Sequence, residues 1–260
     1  SYDGVTISNA QSGQVDIGRF NLGNVEYVTL TIGQSDEIFQ TARMFASAGV
    51  LNIKSARPVF DGSPVNAGVS LNVASFGTWN PSLYYQHKLS GRWALAVNAD
   101  WLVSDGEYPF TLVNGTVVTR EKRLNSDVNT IRAEANVYGD LGKGGNVSFK
   151  GNWMSSQRGL PGSVVLYNKD ARERLWDETG FAQVHYRNSF GEKLQMQGQL
   201  KYNYAWNKYT DEKEYYPNGI QTDYYTQEEF YGSVSAKYAP AAGVSVVLSQ
   251  DVFRNPLSAS

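Results

Sequence analysis

From about residue 65 onward, hydrophobic and polar residues alternate along the chain. Residues 194–206 (LQMQGQLKYNYAW) place Leu, Met, Gly, Leu, Tyr, Tyr and Trp at every second position, with Gln, Gln, Gln, Lys, Asn and Ala between them. Successive side chains of a strand point to opposite faces of a sheet. The pattern therefore predicts a β-strand with one apolar face and one strongly polar face.

The same alternation occurs in nine segments, most of about 9–13 residues, longer than the ~5–6 residues usual in soluble sheets. They are residues 67–75, 82–89, 93–103, 129–138, 146–153, 182–190, 194–206, 230–238 and 244–253. Their connections include short turns at 90–91, 140–145, 191–192 and 240–243, and long loops at 105–127, 155–179 and 208–228. Short turns at one end of a sheet and long loops at the other are typical of outer-membrane β-barrels.

The two faces of these strands indicate which solvent each one meets. The apolar faces carry aromatic residues near the strand ends, among them Trp93, Trp101, Trp153 and Trp206, and aromatic rings favour membrane–water interfaces. The opposite faces carry Arg, Glu, Lys, Gln and Asn in mid-strand, which a dry core rarely accepts unpaired. We therefore predict that the apolar face meets lipid and the polar face lines a lumen. A soluble sandwich with its apolar face inward is the alternative.

The first sixty residues have a different pattern. Short strand-like pieces at 25–32 and 49–54 flank a polar, mildly helical stretch at 34–47. Residues 57–64, which contain RP and DGSP, are predicted to be a linker because Pro and Gly interrupt regular structure. A small globular segment is therefore expected before the barrel strands.

Composition narrows the function classes. The 260-residue chain has a net charge of −2, so it has no basic surplus that favours nucleic acid. It contains no Cys, which removes disulfides and thiolate metal sites. A mean hydropathy of −0.41 resembles that of a soluble protein, but barrel strands need only alternating hydrophobicity.

The sequence offers little for catalysis. His87 and His185 are its two histidines, and neither has a second His or Cys nearby to complete a metal site. There is no G-x-S-x-G element, and DLGKGG at 140–145 lacks the Walker spacing, so we interpret it as a tight turn. We predict no catalytic residue, no metal and no cofactor, and therefore a protein that is not an enzyme.

The loop at 208–228 is the best candidate for ligand contact. It contains Tyr215, Tyr216, Tyr224 and Tyr225 around a Pro-Asn-Gly tip at 217–219. Aromatic rings with hydroxyl groups suit the binding of a sugar, a corrin or an aromatic chelate. The alternative is a hairpin that extends above the membrane with its tyrosines packed on one another.

Several motifs resemble the TonB-dependent outer-membrane receptors. NVEYVTLTIG at 24–33 and FASAGVLNIKSA at 45–56 are similar to the C-terminal half of that family's plug domain, and YDGVTI at 2–7 resembles a plug strand with its DG turn. SFGTW at 75–79 and SDGEYPF at 104–110 resemble the first barrel hairpin and the start of a later extracellular loop. The matching plug positions are Asn24, Val25, Glu26, Gly33, Gly49, Val50, Asn52 and Ile53.

The resemblance implies an all-β fold. Residues 58–260 would form a partial transmembrane antiparallel β-barrel, about nine of roughly 22 strands, and residues 1–57 the C-terminal half of a small α+β plug domain. The ligand would be a scarce nutrient: cobalamin, an iron siderophore or an oligosaccharide. The wording of residues 32–53 most resembles cobalamin-type receptors. Gln34, Ser35 and Asp36 would lie near the ligand-facing apex of the plug.

The expected partners also follow from the resemblance. They are outer-membrane lipid and an inner-membrane TonB energy complex, which would act on a plug segment absent from this sequence. The chain is then expected to be a fragment that cannot transport by itself, and its two open sheet edges predict self-association or a partly rearranged sheet without detergent. The alternatives are a soluble carbohydrate-binding or adhesive β-domain with Tyr-rich loops, and a barrel-borne lipase or protease.

Overall fold

The N-terminal part of the described chain contains a two-stranded sheet and a short helix. The structure, a computed structural model, describes residues 1–5, 20, 25–33, 37–164 and 169–259. Strand β1 (Val25–Ile32) pairs antiparallel with β2 (Gly49–Ser55), and the short helix α1 (Ala42–Phe45) lies between them in sequence. Thr41 caps α1 by accepting a hydrogen bond from the Met44 amide. The described residues of 1–57 are called the N-terminal unit below.

The remainder of the described chain is almost entirely β-structure. Its elements are β3 (Val65–Ala74), β4 (Thr78–Lys88), β5 (Trp93–Ser104), β6 (Pro109–Asn114), β7 (Val117–Lys122), β8 (Val128–Gly142), β9 (Gly145–Gly159), β10 (Arg174–Phe190), β11 (Leu194–Glu212), β12 (Ile220–Ala241), β13 (Val244–Arg254) and β14 (Leu257–Ala259).

These strands form one large antiparallel sheet and a separate hairpin. The sheet has ten strands within the described residues, in the order β13-β12-β11-β10-β9-β8-β5-β4-β3, with β14 paired to β12 beside the end of β13. Each strand of this meander pairs with its nearest sheet neighbours in sequence, and β3 and β13 form its two edges. Strands β6 and β7 form a two-stranded hairpin off the sheet.

All nine strands predicted from the alternation are confirmed, but several are longer than expected. Pairing between β11 and β12 continues up to Glu212 and Ile220, so the loop predicted at 208–228 shrinks to 213–219. Strands β9 and β10 likewise shorten the loop predicted at 155–179 to 160–173. The loop at 105–127 contains the β6–β7 hairpin, which was not predicted. Toward the long loops these strands carry polar residues on both faces, as in NKYTDE at 207–212, so hydrophobic alternation no longer indicates the pairing.

The predicted helical stretch at 34–47 is mostly not helical in the part that the structure describes. Only four residues, those of α1, form a helix there. A helix that short gains little from its own hydrogen bonds. Its position therefore depends on contacts with the large sheet. None of the described helices is long and apolar enough to span a membrane.

The large sheet buries its polar face and exposes its apolar face. The inward face, defined as the face that contacts the N-terminal unit, includes Asn136 and Glu229, which are 1% and 0% exposed. The outward face includes Leu200 and Leu248, which are 65% and 76% exposed. A soluble sheet has the reverse arrangement. Further buried inward residues are Asn98, Glu134, Lys150, Asn152, Gln183, Gln197, Gln199, Lys201, Asn203, Gln227, Ser233 and Ser235.

Aromatic residues bracket the apolar band on the outward face. In β5, Trp93 and Trp101 lie eight positions apart on that face, which is about 26 Å along a strand. The Trp101 indole donates a hydrogen bond to Asn129 Oδ1 at 2.8 Å, and the Trp153 indole donates to Glu178 Oε1 at 3.1 Å. Each ring thus has an apolar body and a polar tip at the border of the band, as aromatic girdles do.

Candidate functional site

The candidate site is the interface between the N-terminal unit and the inward face of the large sheet. Two groups of buried polar side chains join them. A small apolar cluster of Tyr2, Phe20, Ile53 and Phe181 lies beside the first group, with the Tyr2 and Phe20 ring centroids 5.1 Å apart. The cluster fixes the position of the chain near Tyr2 and excludes water from the neighbouring charges.

The first polar group, here called the Lys150 network, is centred on the ammonium of Lys150 in β9. Lys150 Nζ donates to Ser55 Oγ at 2.7 Å and lies 2.8 Å from Asp3 Oδ2 and 3.1 Å from Glu134 Oε1. An ammonium group has three donors, and these three acceptors use all of them. The Tyr2 hydroxyl donates to the other Glu134 oxygen at 2.5 Å.

Asp3 and Ser55, which both belong to the N-terminal unit and both contact Lys150, are also hydrogen-bonded to each other. The Ser55 amide donates to Asp3 Oδ1 at 2.9 Å, and the Ser55 hydroxyl donates to Asp3 Oδ2. The backbone is tied to the sheet as well, since Gln183 donates to the Tyr2 carbonyl at 3.3 Å and Gln199 to the Gly4 carbonyl at 2.9 Å. Lys150 Nζ also lies 3.7 Å from the centre of the Tyr2 ring, a cation–π distance.

The ionisation of Tyr2 and Asp3 reflects this environment. Burial, followed by the charge of Glu134, raises the pKa of Tyr2, so its hydroxyl remains a donor. Burial alone would raise the pKa of Asp3. The charge of Lys150 and hydrogen bonds from Lys150 and Ser55 outweigh that effect and lower the pKa below its ordinary value of 3.8. Asp3 is therefore a carboxylate at neutral pH and a stable partner of Lys150.

The second polar group, the Glu229 network, joins the residues around α1 to β11, β12 and β13. Glu229 Oε1 lies 3.1 Å from Arg43 Nη1, and Glu229 Oε2 accepts a hydrogen bond from Lys201. The Arg43 amide donates to Asp251 Oδ2 at 2.8 Å, and the Tyr231 hydroxyl donates to the same oxygen at 2.9 Å. Buried charges are tolerated only with such partners.

Two serine hydroxyls and a ring contact continue the Glu229 network. Ser235 and Ser249 both donate to the Gln40 carbonyl, at 3.1 and 2.7 Å. The Arg187 guanidinium lies 4.9 Å from the centre of the Phe39 ring. The segment before α1, which has no strand neighbours, therefore satisfies its backbone with side chains of the sheet.

A cavity of about 410 Å³ separates the two networks. It lies between β1–β2 and β10–β11, and its lining includes charged groups of both signs, Glu37 and Lys54 from the N-terminal unit and Arg187 from the sheet. Gly33 and Glu37, the neighbours in sequence of residues 34–36, also line it. The cavity suits a polar molecule more than an apolar one.

The tyrosines predicted to bind ligand do not form one cluster. Tyr224 and Tyr225 are adjacent in β12 and point to opposite faces of the sheet. Tyr225 pairs with Asn207 on the inward side, whereas the Tyr224 ring lies 6.2 Å from the Trp206 ring on the outward side. Tyr215 and Tyr216 lie in the turn that follows β11, with ring centroids 4.5 Å apart. Gln34, Ser35 and Asp36 lie outside the described residues.

Charge pairs join the long loops, which lie at the end of the sheet opposite the short turns. Arg174 Nη2 lies 2.7 Å from Asp127 Oδ2, and Lys213 Nζ lies 2.7 Å from Asp211 Oδ2 and 3.3 Å from Glu173 Oε1. The Tyr216 hydroxyl donates to Asp211 Oδ2 at 2.8 Å. The loops are therefore linked to one another, and Tyr216 is part of these links.

Sequence reasoning found the polar faces but missed the residues that make the networks. It recorded charged residues in mid-strand without pairing them, and it did not single out Lys150, Glu134, Lys201, Glu229 or Arg43. The signal that the sequence contained was a Lys or Glu on the polar face in the middle of a predicted strand, since a buried charge needs a partner. Within the described chain, no group of three or more His, Asp or Glu could hold a metal ion. His87 and His185 thus belong to no such group.

Comparisons with known proteins bear on the fold. No protein-family model and no curated protein matches the sequence. Solved structures do match, among them the siderophore receptor PiuA from Acinetobacter baumannii at 10% identity and a TM-score of 0.60, over 98% of this chain and 38% of that chain. A mutant ferric enterobactin receptor, PfeA from Pseudomonas aeruginosa, matches at 15% identity and a TM-score of 0.65, over 98% and 41%. The ferric-catecholate import receptor Fiu from E. coli K12 matches at 13% identity and 0.63, over 91% and 40%.

These matches confirm the resemblance at the level of the fold. The chain has the fold of part of a TonB-dependent outer-membrane receptor, and it spans about two fifths of the length of the receptors named above. All three are described as receptors, and that this chain is not an enzyme stays a prediction. They are siderophore and ferric-catecholate receptors, so the cobalamin type stays a prediction.

Proposed function

We propose that this chain is part of a TonB-dependent outer-membrane receptor that binds a scarce nutrient and imports it actively. The observation that carries the proposal is the inverted burial of the large sheet, with Glu229 fully buried on one face and Leu248 largely exposed on the other. Only a nonpolar solvent on the outward side makes that arrangement favourable. The outer membrane is the proposed location, and outer-membrane lipid covers the outward face.

The N-terminal unit is proposed to be part of the plug, with a boundary near residue 57. It covers the polar inward face and is held there by charge pairs and hydrogen bonds rather than by a large apolar core. An apolar interface would resist displacement at every point, whereas a few polar contacts can be broken together and formed again. Force from an inner-membrane TonB complex would act against these contacts and enlarge the cavity beside them.

The nutrient is proposed to be an iron siderophore, with cobalamin and an oligosaccharide as the other candidates. Support for a siderophore comes from the receptors with the same fold, whose names include siderophore, ferric enterobactin and ferric catecholate. Ligand contact is assigned to the long-loop end, where Tyr225 faces inward, and to Gln34, Ser35 and Asp36 at the apex of the plug.

A growth and uptake assay tests this proposal. The gene that encodes the natural protein is deleted, and uptake is measured for a ferric catecholate, cobalamin and a labelled oligosaccharide, each with and without a proton uncoupler. The proposal expects one ligand to lose energy-dependent uptake, and complementation to restore it. Normal uptake of all three, with the protein in a soluble fraction of the cell, would instead favour a soluble carbohydrate-binding or adhesive domain.

A further inference from the structure

The outward face carries a groove that a flat lipid-facing sheet would not have. Its volume is about 760 Å³, within the ~300–1,000 Å³ typical of small-molecule sites. Its floor is formed by small residues on three strands: Gly151 of β9, Ala182 of β10 and Gly232 of β12. The side chains along its walls are Phe149, Val184, Leu200, Tyr202, Phe230 and Val252.

The pairing register explains the shape of the groove. One row of outward residues across the sheet contains Val184, Leu200, Gly232 and Val252, so the missing side chain of Gly232 leaves a gap between two large residues. In the next row up, Gly151 and Ala182 lie beside Tyr202, and the Tyr202 and Phe230 rings stand 4.8 Å apart. The groove is therefore narrow, elongated and apolar.

The upper end of the groove carries a single exposed cation. Arg254 lines it as the last residue of β13, paired with Phe230. Arg254 lies ten residues after Val244, which follows a short turn at the other end of β13. Ten residues span about 33 Å along a strand, or about 25 Å in height at the ~40° tilt of such barrels, and this is the height of the apolar band. Arg254 thus lies at the level of lipid headgroups. None of the ion pairs among the described residues involves it, and the nearby Glu228 carboxylate accepts from the Tyr202 hydroxyl at 2.6 Å.

We infer that the groove is a binding site for one membrane lipid with an anionic headgroup, which rests on the membrane location proposed above. An acyl chain fills the apolar groove, and the headgroup phosphate pairs with the guanidinium of Arg254, whose planar donors suit phosphate. The charge complementarity at the rim selects an amphiphile over a purely apolar partner such as a transmembrane helix. The apolar walls exclude a polar solute.

Photocrosslinking tests the site directly. The natural full-length protein is reconstituted into phosphatidylcholine vesicles that contain phosphatidylglycerol with a diazirine at the end of one acyl chain, and crosslinked peptides are identified by mass spectrometry. We expect several-fold more label at Phe149, Leu200 and Val252 than at outward residues far from the groove, such as Val69 and Leu83. A cross-linking probe on phosphatidylcholine serves as the headgroup control.

Two variants separate the acyl and headgroup contacts. A Cβ added at Gly151 meets no heavy atom within 4 Å, so Gly151→Leu has open space for its first side-chain atom, should fill the groove and should remove the enrichment. Ala99→Leu adds bulk on the same face in β5, outside the groove, and should leave the labelling unchanged. Arg254→Gln, on an exposed side chain, should lower labelling by phosphatidylglycerol and not by phosphatidylcholine.

The outcomes distinguish this inference from the proposed function. Even labelling of all outward apolar residues, or enrichment that survives Gly151→Leu, would overturn the lipid site and leave the membrane location intact. An outward face that takes no label at all would overturn both the lipid site and the proposed membrane location, because that face would then not lie in lipid.

Discussion

The Lys150 ammonium lies 2.8 Å from the Asp3 carboxylate, which joins a central strand of the large sheet to the start of the N-terminal unit. Lys150 is buried and Asp3 is mostly so, with side-chain exposures of 4% and 12%, and Glu134 on the neighbouring strand shares the same ammonium at 3.1 Å. A buried ion pair adds little net stability compared with an apolar contact, but removal of one partner is costly. The N-terminal unit is therefore attached by contacts whose loss should be detectable one residue at a time.

Replacement of Lys150 should loosen the N-terminal unit. Lys150→Met removes the cation shared by Asp3 and the buried Glu134, at a cost of about 3–5 kcal/mol, which Lys54, 3.5 Å from Asp3 Oδ1, offsets only for Asp3. Amide exchange in β2 should then speed up by roughly a hundredfold or more. Lys193→Met, at an exposed turn between β10 and β11, is the matched control and should leave exchange in β2 unchanged. Unchanged exchange in Lys150→Met would mean that the Lys150 network does not hold β2 against the sheet.

Glu229 and Glu228 offer a second test with a control one residue away. Glu229→Gln removes the charge that Arg43 and the buried Lys201 share and should release the segment around α1, at a cost of about 2–5 kcal/mol. Glu228 points to the opposite face and accepts from Tyr202, so Glu228→Gln should have little effect. Cysteine labelling at Met44→Cys measures the release. Equal labelling in both variants would contradict the role given to Glu229.

The sequence predicted the strands well because the two faces of the large sheet have different environments. Strand β11 shows this clearly, since Leu200 and Lys201 are adjacent yet belong to opposite environments. The β6–β7 hairpin was missed, although Asn114-Gly115 between two β-rich runs is a strong turn signal. Its base is closely packed, because a side chain at Gly106 would lie 1.9 Å from the Ser126 carbonyl oxygen.

The candidate site was less predictable than the fold. Alternation shows which face carries Lys150 and Glu134, but the partner of each depends on register between distant strands and on how the N-terminal unit packs against them. Asp3 and Arg43 reach the sheet from segments with no periodic pattern. Such contacts are tertiary, so local sequence gives at most the expectation that each buried charge has a partner.

Acid should weaken the attachment through Asp3. The folded pKa of Asp3 lies below 3.8, so its contribution is fully present above the unfolded value and is lost as the pH falls through the folded pKa. Exchange in β2 should be flat from neutral pH to about pH 5 and rise below 3.8, after correction for intrinsic rates. In the Asp3→Asn variant, amide exchange in β2 should be faster than in the unaltered protein at neutral pH, and the difference between the two proteins should vanish in acid. A difference that persists at low pH would show that the carboxylate charge is not the cause.

The two adjacent tyrosines of β12 test the proposed ligand contact. Tyr225→Ala should weaken ligand binding about tenfold, because its ring faces inward where ligand would enter. Tyr224→Ala should leave affinity unchanged, because its ring packs beside Trp206 on the outward face. Equilibrium binding to purified full-length protein, with the ligand identified by uptake, measures both. Equal losses of ligand affinity in Tyr225→Ala and Tyr224→Ala would indicate that either change perturbs the long-loop end as a whole.

The 260-residue chain alone should self-associate without detergent. Among the described strands, β3 and β13 are the two edges of the large sheet, and the outward face of β3 adds Val69 and Leu71 to the exposed apolar surface. Edges with free N–H and C=O groups pair with other edges, so light scattering should give a mass well above 28.8 kDa. Mild detergent should lower the mass of the protein component, because it covers the apolar face. A monodisperse monomer in plain buffer would contradict this prediction and would also count against a lipid-facing surface.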